Sequence, residues 1–336
     1  MLDTIKYSFI IPVFNRPDEI YELLESFCNL DFVDDFEIVI VEDGSTKRCN
    51  EIVSVFNSKL NISYLYKDNS GPGLSRNYGM RLAKGNYFII LDSDCILPPH
   101  YLNTVHQFLE KEFYHFFGGA DTSNNSFSLI QQAINYTMTS LLSTGGIRGN
   151  KKSVQKFEPR SFNMGLSKEV FDKTNGFSNI HPGEDPDLSI RVLELNYQTV
   201  FIPNAFVFHK RRITWSKFYS QISKFGLVRP ILNNWHPKYA KFIFWLPTMF
   251  LLFSICSIIF SVYFKNLLFL IPLSSYLFLI VADSTMKNKS LLVGLYSLFA
   301  LFIQFTAYGL SFLKSTFLIN FLKRDPEKQF PKLFFK

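Results

Sequence analysis

The chain has 336 residues, 47% of them hydrophobic and 17% aromatic, with a formal net charge of +7. That apolar content excludes a disordered chain, and the length suits one sizeable domain plus something smaller. Cys28, Cys49, Cys95 and Cys256 form no CxxC pair and no zinc spacing, so they read as free thiols in a reducing compartment. No signal-peptide pattern opens the chain, and the N-terminal domain is expected in the cytoplasm. Tyr7 to Phe14 is a nearly continuous apolar run, the signature of a buried parallel strand. Pro12 marks where that strand gives way to a loop. Asn15-Arg16-Pro17-Asp18-Glu19 reads as a helix start, with Asn15 as the cap and Pro in the first turn. Ile20, Leu23, Leu24 and Phe27 then supply one apolar helix face.

A second strand is predicted at Phe36 to Val41, ending in Glu42-Asp43-Gly44-Ser45. A helix follows from about Lys47 to Ser58, then a third strand at Ile62 to Tyr66. The loop Asn69 to Gly73 leads into a helix through about Lys84, and Tyr87 to Leu91 is a fourth strand that ends at Asp92. Alternating strands and helices predict an α/β fold, a doubly wound and mostly parallel sheet. Ligands of such sheets bind beyond the carboxyl ends of the strands, the rim on which Asp43, Asp92 and Asp94 fall. From Phe116 to Pro159 the pattern is weak, and an acceptor-side segment is expected there. Order returns at Ser161 to Phe177. Gly183-Glu184-Asp185-Pro186-Asp187 then opens a helix to about Leu195, and Thr199 to Ile202 is a short strand.

From Ala205 to Lys241 the chain carries Lys210, Arg211, Arg212, Lys217, Lys224, Arg229, Lys238 and Lys241 without one acid. An apolar run follows, so a membrane surface and an anionic ligand account for this block better than nucleic acid, for which no motif is present. Apolar stretches at about 242–264, 267–282 and 291–313 approach the ~20 residues that span a bilayer as a helix. The first and third are long enough, and the second is marginal. The basic block places its own side of the membrane in the cytoplasm. Three crossings would then put the basic tail, residues 314–336, outside, against the same rule. Either the third segment is re-entrant or interfacial, or the tail is tolerated there.

The chemistry concentrates at the strand ends. Asp92-Ser93-Asp94 sets two carboxylates at alternate positions after a buried strand. Such a pair can hold a divalent cation, Mn²⁺ or Mg²⁺, against phosphates. Asp43, with Glu42 beside it, can accept a hydrogen bond from a nucleobase. Arg76, opening a helix after Gly71-Pro72-Gly73, suits ribose or diphosphate. Adjacent carboxylates raise each other's pKa, which suits Asp185, with Glu184 as the fallback, to the role of general base. Asp187 stands on the acceptor side, where it caps or orients. His209 can complete a metal shell while Arg211 or Arg212 holds diphosphate. Trp215 can stack on the acceptor side or pack at the membrane surface.

The ordered segments IIPVFNR, VEDGS, GPGLSRNYGMRLAKGNYFIILDSD, FNMGLSKEVFDKTNGF and GEDPDLSIR resemble a family 2 glycosyltransferase with a GT-A fold, over about residues 6 to 225. The resemblance implies inverting transfer from a UDP-linked or similar nucleotide-sugar, with Mn²⁺ or Mg²⁺. It implies base contact at Asp43, metal at Asp94, Asp92 on ribose or metal, and a catalytic base at Asp185. Pro12 and Asn15 of its first motif join the nucleotide-sugar site. Processive synthases of this family carry Gln-x-x-Arg-Trp, whereas this chain has Arg211-Arg212-Ile213-Thr214-Trp215. Its membrane part is also small for a polymer channel. Both features favour one-sugar transfer to a lipid-linked or membrane-proximal glycan acceptor at the cytoplasmic membrane over a processive synthase. Intact Asp92, Asp94 and Asp185 argue against an inactive scaffold, and a nucleotidyltransferase of related fold does not require the Gly183–Asp187 segment. The expected division is a catalytic domain at 1–225, a basic linker at 226–241, membrane helices at 242–313 and a tail at 314–336.

Overall fold

The computed structural model describes residues 5–122, 128–144, 158–209 and 214–336. In chain order it contains β1 (Tyr7–Val13), α1 (Pro17–Phe27), β2 (Phe36–Asp43), α2 (Asn50–Phe56), β3 (Ile62–Lys67), α3 (Pro72–Leu82), β4 (Tyr87–Leu91), β5 (Cys95–Ile96), α4 (Tyr101–Lys111) and β6 (Phe116–Thr122). There follow α5 (Leu129–Thr139), α6 (Leu141–Thr144), β7 (Asn163–Ser167), α7 (Lys168–Thr174), α8 (Glu184–Glu194), β8 (Thr199–His209) and α9 (Trp215–Trp235). The last helices are α10 (Leu246–Tyr263), α11 (Ile271–Asn288), α12 (Leu291–Ser315) and the short α13 (Pro326–Gln329). They group into two compact units. Unit 1 is Met1–Asn124, Lys156–Lys210 and Phe334–Lys336, and unit 2 is Asn125–Gln155 and Arg211–Leu333.

Unit 1 holds one eight-stranded sheet in the order β3-β2-β1-β4-β7-β6-β8-β5. β1 to β4 run parallel, β7 is antiparallel to β4 and β6, and β5 is antiparallel to β8. The strands are apolar on both faces because helices cover both. Phe9, Ile11, Ile38, Ile40 and Ile89 pack with Leu23, Leu24 and Phe27 of α1 and Leu102 and Val105 of α4. Ile10, Val39, Val41, Phe88 and Ile90 pack with Met80 of α3, Val170 and Phe171 of α7, and Leu188 and Val192 of α8. Chain order leaves β1 toward β2 on one side and reaches β4 on the other. The loops after β1 and β4 therefore flank the switch-point crevice.

In unit 2, α12 packs along α9, α10, α11 and α5. Phe242–Tyr263, Leu267–Asn288 and Leu291–Phe321 are long and apolar enough to cross a membrane, by length and composition. Several sequence expectations change here. The stretch expected as a basic linker, 226–241, is helical through Trp235 as the second half of α9, where Gly226 lies against the Tyr308 carbonyl and the Leu227 carbonyl accepts from Ser315 Oγ. The marginal second segment, expected at 267–282, continues as helix to Asn288. The weakly patterned 116–159 region contains β6, an interior strand, and α5, which opens with a Ser128–Gln131 capping box. The short strand expected at Thr199 to Ile202 continues through Pro203 to His209 as one strand, β8.

Candidate active site

The carboxyl ends of β1, β2 and β4 bring the motif residues to one rim. After β2, Asp43 turns toward the β3–α3 loop. Its Oδ1 accepts from Lys67 Nζ and the Ser70 amide, each at 2.9 Å, and its Oδ2 accepts from the Gly71 amide at 2.9 Å. Two oxygens offer about four acceptor positions, so Oδ2 retains capacity for one more donor. Neighbouring Glu42 faces the other way and is fully buried. It accepts from the Ser45 hydroxyl, the Cys49 amide and thiol and the Tyr64 hydroxyl. Its carboxylate is filled by the protein and anchors the loop, so the expectation of a ligand contact at Glu42 is corrected.

Asn15 also departs from its expected role. It has φ of 55° and is not the helix cap; Arg16 precedes α1 in that position without a side-chain cap bond. The Asn15 Oδ1 instead accepts from the Thr46 and Lys47 amides, and its own amide donates to Ser45 Oγ at 2.7 Å. Asn15 thus staples the β1 loop to the β2 loop. Pro12 pairs with Val41 but falls past the last β4 partner of β1, Ile10, where a missing N–H costs no ladder bond to β4.

Both aspartates after β4 face guanidinium groups. Arg16 Nη1 lies 2.5 Å from Asp94 Oδ2. Arg76 Nη2 lies 2.8 Å from Asp92 Oδ1, and its Nη1 reaches Glu184 Oε1 at 3.4 Å. Burial works against both cations, but the acids outweigh it, Asp94 for Arg16 and Asp92 then Asp185 for Arg76, and both guanidinium pKa values rise.

At the start of α8 the two neighbouring acids are driven apart. Burial would raise the pKa of Glu184, but the His181 hydrogen bond at 2.8 Å and the Arg76 charge prevail and lower it. Asp185 moves up, through burial first and the Glu184 charge second, against Arg76 and Arg160. Its Oδ2 accepts from the Ser161 amide at 3.1 Å and hydroxyl at 3.2 Å, while Oδ1 is buried with no hydrogen-bond partner among the described residues. The arrangement is one ionised acid beside one with raised proton affinity, a pairing suited to acid–base work.

Asp187, expected on the acceptor side, is buried and turned to Arg191, which also clamps the carbonyls of Thr174 and Gly176. It holds α8 to the end of α7. Trp215 belongs to unit 2, where its ring lies edge-on to Phe299 at 4.9 Å and to Tyr296 at 6.3 Å. The His209 side chain, Arg211 and Arg212 lie outside the described residues. Sequence reading passed over Arg16, Ser161 and His181. Only Arg16 carried a signal, as a cation in the loop after the first strand; the partners of all three are set by the fold.

No group of three or more His, Cys, Asp or Glu suited to a metal occurs among the described residues. The donor set nevertheless fits Mg²⁺ or Mn²⁺, which bind through one or two carboxylates and complete their shells with phosphate and water. Asp94, 16% exposed, and Asp92, 32% exposed, are hard oxygen donors that already attract cations.

The family model described as Glycosyl transferase family 2 matches residues 8–174. An uncharacterized glycosyltransferase of Rickettsia bellii is 28% identical over 58% of this chain and 27% of its own length. Staphylococcus aureus TarS, a poly(ribitol-phosphate) beta-N-acetylglucosaminyltransferase, is 34% identical over 32% of this chain and 19% of its own. Streptococcus pneumoniae glycosyltransferase GlyG is 25% identical over 61% of this chain and 70% of its own. The chain therefore spans about a quarter or less of the length of the first two. Among solved structures, mannosyltransferase PcManGT from Pyrobaculum calidifontis, in complex with GDP-Man and Mn²⁺, is 14% identical, covering 96% of this chain and 89% of its own with a TM-score of 0.58. That likeness concerns the fold.

Proposed function

Through residues 8–174 the chain belongs to glycosyl transferase family 2, and from that premise we propose inverting transfer of one sugar from a nucleotide-diphosphate sugar to a glycan acceptor. The observation that carries the reading is the buried Asp185 Oδ1, an acceptor without a partner among the described residues, on an acid of raised pKa. A buried oxygen of this kind is costly unless something donates to it in the working state. An acceptor hydroxyl is such a donor. Asp185 takes its proton as the oxygen attacks the anomeric carbon from the face opposite the leaving nucleotide. Ser161 holds the other carboxylate oxygen and fixes the direction of Oδ1.

Asp43 Oδ2 accepts the ring N–H of the base, which suits uracil, while Lys67 and the Ser70 and Gly71 amides keep the carboxylate aimed. Arg76 orders Asp92 on the ribose or metal side and Glu184 on the base side. Asp94, with Asp92, would hold a divalent cation, which supplies charge neutralisation to the departing diphosphate. Arg16, paired with Asp94 in this structure, would then be placed to meet phosphate oxygens. His209, Arg211 and Arg212 keep their proposed roles toward the metal and diphosphate. The relatives' names point to glycan synthesis, and the basic α9 with three apolar helices suits an acceptor carried on lipid at the inner face of the cytoplasmic membrane.

The test is to incubate the full-length protein in detergent with a panel of nucleotide-sugars, Mn²⁺ and lipid-linked acceptors, and to follow nucleotide release. Metal-dependent release that Asp94→Ala and Asp185→Ala each abolish is expected. Release from the wild type that persists unchanged in Asp185→Ala would overturn the assignment.

A further inference from the structure

Residues Phe334–Lys336 belong to unit 1 although the 123 residues before them, Arg211–Leu333, belong to unit 2. Phe334 forms an antiparallel bridge with Ile180, and the Phe335 amide donates to the Asn179 carbonyl at 2.9 Å. The Phe335 ring lies edge-on to the His181 ring, with centroids 6.1 Å apart. A further neighbour is Gly71, where an added Cβ would overlap the Phe335 ring. Gly71 has φ of 83°, so its lack of a side chain serves both the backbone and the ring against it.

The two surfaces that Phe335 touches are the two ends of the candidate site. The Gly71 amide is a hydrogen-bond donor to Asp43, and His181 is the partner of Glu184. Between them, α3 and the Phe177–Ser178 backbone are already close, since a Cβ on Gly73 would stand 3.0 Å from the Ser178 carbonyl. Phe335 meets Gly71 on one side of this seam and His181 and Asn179 on the other.

We propose that Phe334–Lys336 is a strap fastening the Gly71 turn to the Asn179–Glu184 loop, with Phe335 as a positioning residue that sets the nucleotide-recognising end against the general-base end. The names of the two ends rest on the glycosyltransfer reading; the strap itself does not. Phe335 touches no reacting atom. It acts through Gly71 on Asp43 and through His181 on Glu184. Nucleotide affinity and proton transfer are therefore coupled to one side chain distant in sequence from both.

The experiment is hydrogen–deuterium exchange on the full-length protein in detergent, comparing wild type, Phe335→Ala, Phe335→Tyr and the control Lys336→Ala. In Phe335→Ala, amides in residues 69–75 and 177–184 should exchange about tenfold faster, with β1 and β4 unchanged, as expected for local rather than global opening. Phe335→Tyr and Lys336→Ala should match the wild type. Calorimetry with uridine diphosphate should show affinity about fivefold weaker in Phe335→Ala, recovered in Phe335→Tyr, as a preorganised site requires. Unchanged exchange in both segments, or faster exchange spread through β1 and β4, overturns the strap. Local exchange that responds in a protein with no nucleotide-sugar turnover keeps the strap and removes the glycosyltransfer reading. Turnover with exchange indifferent to Phe335 does the reverse.

Discussion

Replacing Arg76 with Met tests the electrostatic centre of unit 1. The Arg76 side chain is 4% exposed and serves two acids, Glu184 at 6% exposure and Asp92 at 32%. Removing one partner of a buried ion pair costs about 3–5 kcal/mol, because the other charge is left without compensation. The Asp92 share is discounted, since water screens a carboxylate that is a third exposed. Glu184 keeps His181, so the lower end, about 3 kcal/mol at pH 7, is the expected loss. The tryptophans, Trp215, Trp235 and Trp245, all belong to unit 2, so their fluorescence would miss the event. Exchange of the most protected amides in β1 and β4 reads unit 1 directly and should quicken roughly 10²-fold. The pH dependence has a definite sign. Arg76 helps hold Glu184 below its ordinary 4.5, so that stabilisation is present above 4.5 and lost as pH falls through the depressed value. The variant's Glu184 takes up its proton at higher pH than the wild type's, and the stability gap narrows on acidification. An unchanged protection pattern at pH 7, or a gap that widens toward pH 4, would refute the reasoning.

Asp185→Asn should lower kcat by about 10²–10⁴-fold while leaving uridine diphosphate affinity within a few-fold, measured by calorimetry beside nucleotide release. Because the Asp185 pKa is raised above its ordinary 3.8 and a base must be unprotonated to act, the acid limb of wild-type kcat should lie above that value and be missing from residual Asp185→Asn activity. Arg16→Ala removes a half-exposed competitor for Asp94, so Mn²⁺ affinity followed by electron paramagnetic resonance should tighten by up to about fivefold; weaker binding would show that Arg16 supports the cation. Glu42→Gln leaves hydroxyl, thiol and amide donors facing a group that can no longer accept them all, and should cost about 2 kcal/mol in the same exchange assay.

The first half of the sheet could be read from sequence because buried parallel strands are written as unbroken apolar runs, and β4 has the bounds its pattern gave. The rest was hidden for identifiable reasons. In β6, Gly118 and Gly119 interrupt the apolar signal, yet Gly119 is required where the Ala205 carbonyl and the Asn163 side chain press against the strand. The expected strand stopped before Pro203-Asn204, but β8 runs on because its partner β6 shifts register between Gly119 and Asp121, which absorbs the irregularity. α9 carries Gly226 and Pro230 among its basic residues, and its helicity comes from packing along α12, a partner read as a membrane span. In the site, residue types at strand ends and helix starts marked Asp43, Asp92, Asp94, Arg76 and Asp185 as candidates. Direction was not legible: Glu42 and Asp43 are neighbours on one strand and so face opposite ways. Long-range partners such as Arg16 with Asp94 also leave no local trace.

The bridge between Phe334 and Ile180 has a consequence for topology. The chain leaves unit 1 after Lys210 and is back in it at Phe334. A folded unit occupies one side of a bilayer, so the number of crossings between those two points is even. If the three helices that are long and apolar enough to cross enter a bilayer, this constraint would give two crossings or none. The helix over Leu291–Phe321 is the odd one, with 44% of its apolar window buried inside the protein against 11% in each of the other two. An even count also returns Lys314, Lys323, Arg324, Lys328, Lys332 and Lys336 to the face that carries the basic residues of α9. The charge asymmetry that three spans would violate becomes consistent, and a label at position 336 must report the same compartment as one at position 35.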